Sequence, residues 1–278
     1  MPAIPPYIIE PIWEQFCALL PERDADVHPL GCHRRRIPDR LVFDKLVQVL
    51  VFGCAYDRIS DETCSASTLR RRRDEWIDSG AMEKLRGMAL EAYDRVVGLR
   101  LSDVAIDCCI TKAPCGGESA GRNPIDRGKQ GLKRSAVVDA NGIPLGAISA
   151  PANRHDSPLL GGTLDTLGKL GPLPEQMSVH LDRGYDSEAT RRRLRDRGLE
   201  AAISEKGKPA PLVATKRWVV ERTSSWNNTH KKLVWCTERR RRVVDFWIAF
   251  SEVIIIVRRL IREAWARYRW DSRPCRRP

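Results

Sequence analysis

The sequence predicts an α/β chain in two parts: an all-α, helix-turn-helix-like region over residues 1–98, then a mixed five-stranded sheet flanked by helices over 99–278. Three observations predict it. Before residue 100, apolar residues recur at helical spacing; beyond it, short apolar strands alternate with helices; and 278 residues suffice to bury a sizeable core.

The stretch LVFDKLVQVLVFGCAYDRIS (41–60) carries the helical repeat as far as Gly53, a stop signal. A second helical stretch, STLRRRRDEWIDSG (67–80), follows it, with Ser67 as the expected N-cap. Leu69, Trp76 and Ile77 are expected to pack inward, which leaves Arg70, Arg71, Arg72 and Arg73 projecting outward. A helix-turn-helix needs two helices joined by a short turn, the second presenting basic side chains to a DNA groove. Helix pairs without DNA are as common, and the four arginines tip the reading toward DNA.

After residue 100, DVAID (103–107) reads as a short strand ending in Asp107, and SAVVDANGIPLGAISA (135–150) as two strands around an Asn141-Gly142 turn. A helical stretch covers residues 156–170, and MSVHLDRGY (177–185) is a strand ending in Asp182. The helix SEATRRRLRDRG, the strand AAIS (201–204) and one long helix over RWVVERTSSWNNTHKKL (217–233) complete the pattern. This order, with acids at two strand ends and Glu221 on the last helix, is that of the ribonuclease-H-like fold.

Net charge is +12, and residues 217–278 hold sixteen Lys and Arg against six Asp and Glu, so the basicity is mostly C-terminal. Such a field favours a polyanion such as nucleic acid or an anionic membrane surface, and its benefit falls with salt; a solvated basic tail is the plainer reading. Nine cysteines at irregular spacing, without a C-x-x-C pair, indicate reduced cytosolic thiols rather than a zinc ribbon or a disulfide framework. Residues 1–20 lack the basic start of a signal peptide, and FWIAFSEVIIIV (246–257) is too short to span a bilayer, so a soluble, cytoplasmic, nucleoid-associated protein is expected.

The helix at 217–233 carries Arg217, Arg222, His230, Lys231 and Lys232 but one carboxylate, Glu221. An ion pair to Arg217, one turn back, would explain it alone, just as strand-end turns would explain Asp107 and Asp182. The alternative is that the three acids converge. Cutting a phosphodiester means stabilising attacking and leaving oxygens together, which two Mg²⁺ ions roughly 3.5–4 Å apart can do when carboxylates hold them.

Five segments resemble, in order, the blocks of bacterial insertion-sequence DDE transposases of family five, which is related to family four: IDCCITKAP (106–114), GRNPIDRGKQGLKRSAVVDANGIPL (121–145), ANRHDSPLL (152–160), LDRGYDS (181–187) and RWVVERTSSW (217–226). The resemblance spans nearly the whole chain, and residues 53–80 are similar to the family's amino-terminal DNA-binding region. It implies that Asp107, Asp182 and Glu221 are catalytic ligands of two Mg²⁺ ions, with Mn²⁺ as a substitute. It further implies binding to double-stranded DNA at the element's terminal inverted repeats and at the target, cleavage at the ends, transfer of the freed 3′-hydroxyls, and homo-oligomers on DNA. Arg70, Arg71, Arg72, Arg73, Arg217, Arg222, Lys231 and Lys232 are the expected DNA contacts. Arg217 matches the arginine of a signature in related families, whereas that signature's tyrosine and lysine fall on Ala214 and Asn228. Lys231 or Lys232, back on the same helix face, are candidates to replace the lysine. His155 and Asp156 stay outside the catalytic set, as a surface histidine and a helix cap. Two rivals stay open: a metal-dependent nuclease on the same fold, and a decayed transposase that only binds DNA.

Overall fold

Prolines stand at the starts of the first two helices, Pro5 before α1 (Pro6–Ala18) and Pro38 before α2 (Asp39–Phe52). The first-turn N–H groups of a helix have no internal partner, so a residue without one costs little there. The structure, a computed structural model, describes residues 3–22, 36–204 and 216–268. Helix α2 ends at Gly53, in the left-handed region with φ 66°; a Cβ there would stand 2.8 Å from the Lys231 backbone, so a side chain is barred twice over. Helix α3 (Tyr56–Ile59) and α4 (Ala66–Asp78) follow, then α5 (Ala81–Val96). The cap of α4 is Ser65, whose hydroxyl accepts from the Thr68 N–H at 3.3 Å, and not the expected Ser67.

The outward row of four arginines is corrected by α4. Arg70 and Arg71 are exposed, but Arg72 and Arg73 are 1% and 2% exposed. Arg72 is paired with Asp39 and Glu75, Arg73 with Asp74 and Glu238. The spacing explains the difference: Leu69, Arg72, Arg73 and Trp76 are three and four residues apart and share the buried face.

Six strands form the sheet: β1 (Asp103–Lys112), the short β2 (Ala120–Arg122), β3 (Gln130–Asp139), β4 (Pro144–Pro151), β5 (Ser178–Leu181) and β6 (Glu200–Ile203). Strand β3 pairs antiparallel with β1, β2 and β4, and β5 and β6 extend the sheet in parallel from β1. Five of the strands were expected and β2 is an addition. Residues 157–170 form α6 (Leu160–Asp165) between two short 3₁₀ turns, and α7 (Glu188–Arg195) links β5 to β6. Asp156 does not cap that stretch: its carboxylate takes the Lys133 ammonium at 2.5 Å. His155 is exposed.

The expected long helix over 217–233 is broken. Helix α8 (Trp218–Asn227) stops, and the short α9 (Lys231–Val234) starts after a turn at 228–230. A 28-residue helix, α10 (Arg241–Tyr268), ends the described chain. Its first half enters the same core as α1, α2 and α4, where Phe43 packs on Phe16 and Phe250 at 5.4 Å and Phe16 meets Trp76 edge-on at 4.9 Å. The helical layer therefore spans the boundary expected at 98/99. No helix among the described residues is long and apolar enough to cross a membrane.

The turn between α8 and α9 rests on a buried polar chain. His230 shares a hydrogen bond with Ser251 (2.7 Å), and Ser251 donates to Asn227 (2.6 Å). Burial first, then the charges of Arg258 and Arg134, lower the His230 pKa to about 4. A histidine kept neutral by folding gives full stability above its unfolded pKa of ~6.5 and loses it as pH falls toward 4, a span of about 3 kcal/mol. We expect His230→Gln to flatten the stability–pH curve between those limits in urea titrations. An unchanged slope would mean that another group titrates there.

Candidate active site

Strand alternation sets the site. Val104 and Ile106 face a core shared with Val179 and Leu181, whereas Ala105 faces α8 with Val138, Val219 and Val220. Asp107, two residues past Ala105, falls on the α8 side by the period of two. Ala105 pairs with His180 in the parallel register, and the same register carried past the end of β5 puts Asp182, two past His180, beside Asp107. Adjacent strands are roughly 4.8 Å apart. Glu221 follows Val220 on α8, the helix that covers this face. Asp107 is not at a strand end, as expected from DVAID, but near the middle of a ten-residue strand.

Arg217 binds the acids together. Its guanidinium stands 3.6 Å from Asp182 Oδ2 and 3.2 Å from Glu221 Oε1. The one-turn ion pair considered from the sequence is thus present, and the same arginine also reaches Asp182. Burial raises the Asp107 pKa to about 6, and the nearby charges of Asp182 and Glu221 add to the rise; the Cys108 N–H, donating to Asp107 Oδ1 at 2.7 Å, and Arg217 oppose it. Asp182 Oδ1 also accepts from the Gly184 N–H at 2.8 Å, which fixes the turn after β5. Asp103, at the start of β1, is held below the usual carboxylate range by Lys216 (2.7 Å) and His180 (2.8 Å).

The set fits a divalent cation chemically. Its donors are hard carboxylate oxygens, and Arg217 already puts one positive charge between two of them. Among the described residues, no three His, Cys, Asp or Glu side chains close on one point as they stand.

The other expected contacts divide. Arg222 lies over Trp218 and Trp226, 4.5 and 4.9 Å from the ring centroids, and donates to the Asn141 carbonyl. Lys231 is exposed. Lys232 is 1% exposed and committed to Glu238 (2.7 Å) and Thr237 (2.8 Å), so it is not available to DNA or as the missing signature lysine. Both lysines lie on α9, past the turn that begins at Asn228, and not on a continuation of α8. Ala214 lies outside the described residues. Unforeseen from the sequence, buried Arg134 donates to Asn228 Oδ1 at 3.3 Å, bringing a cation to the position where the signature has its lysine. Arg134 is opposite Cys109 on β3, a pairing that only the strand register reveals. The seven described cysteines are free thiols.

Comparison with known proteins gives two family matches. The model described as "Transposase DDE domain" matches residues 111–251, which include Asp182 and Glu221 but begin four residues after Asp107. The model described as "Putative transposase of IS4/5 family" matches residues 9–86. A protein of Burkholderia cepacia described as "Putative transposase for insertion sequence element IS402" is 42% identical over 131 residues, 45% of this chain and 62% of that protein. The chain thus spans less than two thirds of that relative's length. Two solved structures are similar in outline. A piggyBac transposase synaptic complex with hairpin DNA aligns over 96% of this chain and 80% of its own, with TM-score 0.37 and 11% identity. A pre-cleavage Mos1 transpososome aligns over 90% and 85%, with TM-score 0.28 and 9% identity.

Proposed function

This chain belongs to the DDE transposase family of the insertion-sequence 4/5 kind, and on that premise we propose that it binds the ends of its insertion sequence, cuts there and joins the 3′-hydroxyls to target DNA. The observation that carries the proposal is that Arg217 bridges Asp182, after β5, and Glu221, on α8, and that both acids are near enough to Asp107 to raise its pKa. DDE transposases are metal-dependent, and Mg²⁺ suits this all-carboxylate set. Two such ions, when bound, would stabilise the attacking and leaving oxygens.

The protein's own residues do the rest. Asp107, raised by burial and further by its two acidic neighbours, would be relieved by a cation in place of a proton. Asp182 Oδ1 is held by the Gly184 N–H, so Oδ2, which faces Arg217, is the oxygen that would ligate once that arginine is released. Arg217, released from Asp182 and Glu221, is left beside the DNA backbone, where its planar fork matches a phosphate. Exposed Arg70, Arg71 and Lys231 are proposed to hold flanking phosphates, which positions the duplex without reading its sequence. Arg72, Arg73 and Lys232 hold the protein together instead.

The reading is tested with the full chain and a duplex carrying the element's end. Strand cleavage at the end is expected with Mg²⁺, absent with chelator, and restored by Mg²⁺ or Mn²⁺. Cutting of any duplex alike, with no joining of the ends, would favour a nuclease; tight binding with no cutting in either metal would favour a decayed transposase.

A further inference from the structure

The largest exposure of a bulky apolar side chain among the described residues is that of Ile125, at 84%. It sits at the tip of the loop between β2 and β3, in the run RNPIDRGKQ (122–130), directly after Pro124. An isolated surface isoleucine needs no explanation. This one is presented by a stiff tip in a run that holds three cations and one acid. Ile125 N–H donates to Asn123 Oδ1 (3.0 Å), Gly128 N–H to the Asn123 carbonyl (3.1 Å), Lys129 N–H to the Asp126 carbonyl (2.9 Å), and Asn123 N–H to the Lys129 carbonyl (2.7 Å). Arg122, Arg127 and Lys129 are exposed, and among the described residues none of them has an ion-pair partner. Arg127 is held at φ 49°, a backbone region unusual for arginine.

The surface continues past the tip. An open pocket of about 270 Å³ is lined by Lys112, Pro114, Asp126, Lys129, Gln130 and Trp235. Trp235 is 48% exposed, with the Lys112 ammonium 5.3 Å from its ring centroid. An apolar point among cations that outnumber the loop's one acid, Asp126, next to an aromatic plate with a lysine, is the chemistry of a site that grips phosphates and displaces stacked bases. A protein partner recognising the same loop would need acids to face these cations.

We propose that this loop is a DNA-deforming wedge: Ile125 enters a base step of the duplex flanking the cut, several steps away from it, while Arg122, Arg127 and Lys129 hold the phosphates on either side. The inference rests on the reading that the protein acts on DNA. The distance suits it. Lys112 is five residues along β1 from Asp107, about 17 Å at roughly 3.3 Å per residue, and the loop lies beyond Lys112, so the wedge meets the duplex at least about five base steps from the cut. Apolar wedges of this kind kink DNA by roughly 20–90°.

The test uses full-length protein and duplexes labelled at both ends for energy transfer, with 2-aminopurine placed at successive steps. The native chain is expected to bend the duplex and to unstack one step. Ile125→Ala should lose at least about half of the bend and the 2-aminopurine signal, with the melting temperature and the salt dependence of binding unchanged, because the side chain is exposed and uncharged. Arg122→Gln with Lys129→Gln should instead shallow the slope of log affinity against log salt by about 1.8, roughly 0.9 for each lost phosphate. An Ile125→Ala protein that binds and bends as the native chain does overturns the wedge alone. So does one whose only change is dissociation of protein copies in sedimentation, which would make the tip a contact between copies. A native chain that binds no duplex removes the functional reading itself, and the wedge with it.

Discussion

Asp182→Ala is expected to lower strand cleavage by roughly 10³-fold or more while leaving affinity for the element's ends unchanged or slightly higher. The size follows from what the carboxylate is proposed to support: electrostatic stabilisation of developing charge on the transferred phosphate is worth several kcal/mol, and each 1.36 kcal/mol is a factor of ten. Binding holds because the change removes a negative charge that repels the backbone and leaves every exposed cation in place. It also frees Arg217 from one of its two carboxylates, 3.6 Å away. Glu221→Gln is the sharper companion, since it keeps the shape of the side chain and removes only its charge. Arg217 then retains Asp182 alone, and cleavage should fail while binding persists. Gel-shift titrations beside a cleavage assay in Mg²⁺ measure both. A Glu221→Gln protein that cuts at the native rate would reduce Glu221 to the ion-pair partner of Arg217, and a parallel result for Asp182→Ala would remove the metal role from that residue.

Much of this site was legible because strands carry a strict period of two. Once DVAID and MSVHL are recognised as strands, their acids fall on one face if the strands are parallel neighbours, and the structure pairs Ala105 with His180 in that register. What the sequence withheld was extent and termination. Strand β1 runs on through Cys108, Cys109 and Ile110 to Lys112, because those residues still pair with β3 along its whole length. The helix at 217–233 breaks at 228–230 without a proline or glycine to signal it, since the buried His230–Ser251–Asn227 chain stabilises the turn from α10. That break misled the reading of the lysines. Lys232 was read as a surface cation on a continuing helix, and its partner, Glu238, lies six residues on, past the end of α9. Arg72 and Arg73, by contrast, could have been read correctly from Leu69 and Trp76 on either side of them. Helix α5, with Met82, Leu85, Ala89, Leu90 and Tyr93 at three- and four-residue spacing, was equally open to reading and was not foreseen.

Glu238→Ala is expected to destabilise the fold by about 3–5 kcal/mol, the cost of leaving buried cations without their anion. Glu238 gathers four elements. Its Oε1 accepts from Tyr56 of α3 (2.8 Å), Lys232 of α9 (2.7 Å) and Trp247 of α10 (3.3 Å), and its Oε2 faces Arg73 of α4 at 3.5 Å. Lys232, and after it Arg73, hold the Glu238 carboxyl below the usual carboxylate range although burial pushes it up; the same burial, and Glu238 itself, push the Tyr56 phenol up. The truncation leaves Lys232 with the Thr237 hydroxyl and the rings of Tyr56 and Trp247 but no anion, while Arg73 keeps Asp74, so most of the loss belongs to the lysine. Replacing both ends of that pair, Glu238→Ala with Lys232→Met, should therefore recover a large part of the stability, because the buried ammonium is gone and its stem is replaced by an apolar chain of similar length. Urea midpoints of the native chain, the two single variants and the double variant close the cycle. The N-terminal helices and α10 share one core, so the four proteins should unfold in single transitions; a Glu238→Ala loss below about 1 kcal/mol, or a double variant no better than the single, would show that the four elements are held by their apolar faces and not by this carboxylate.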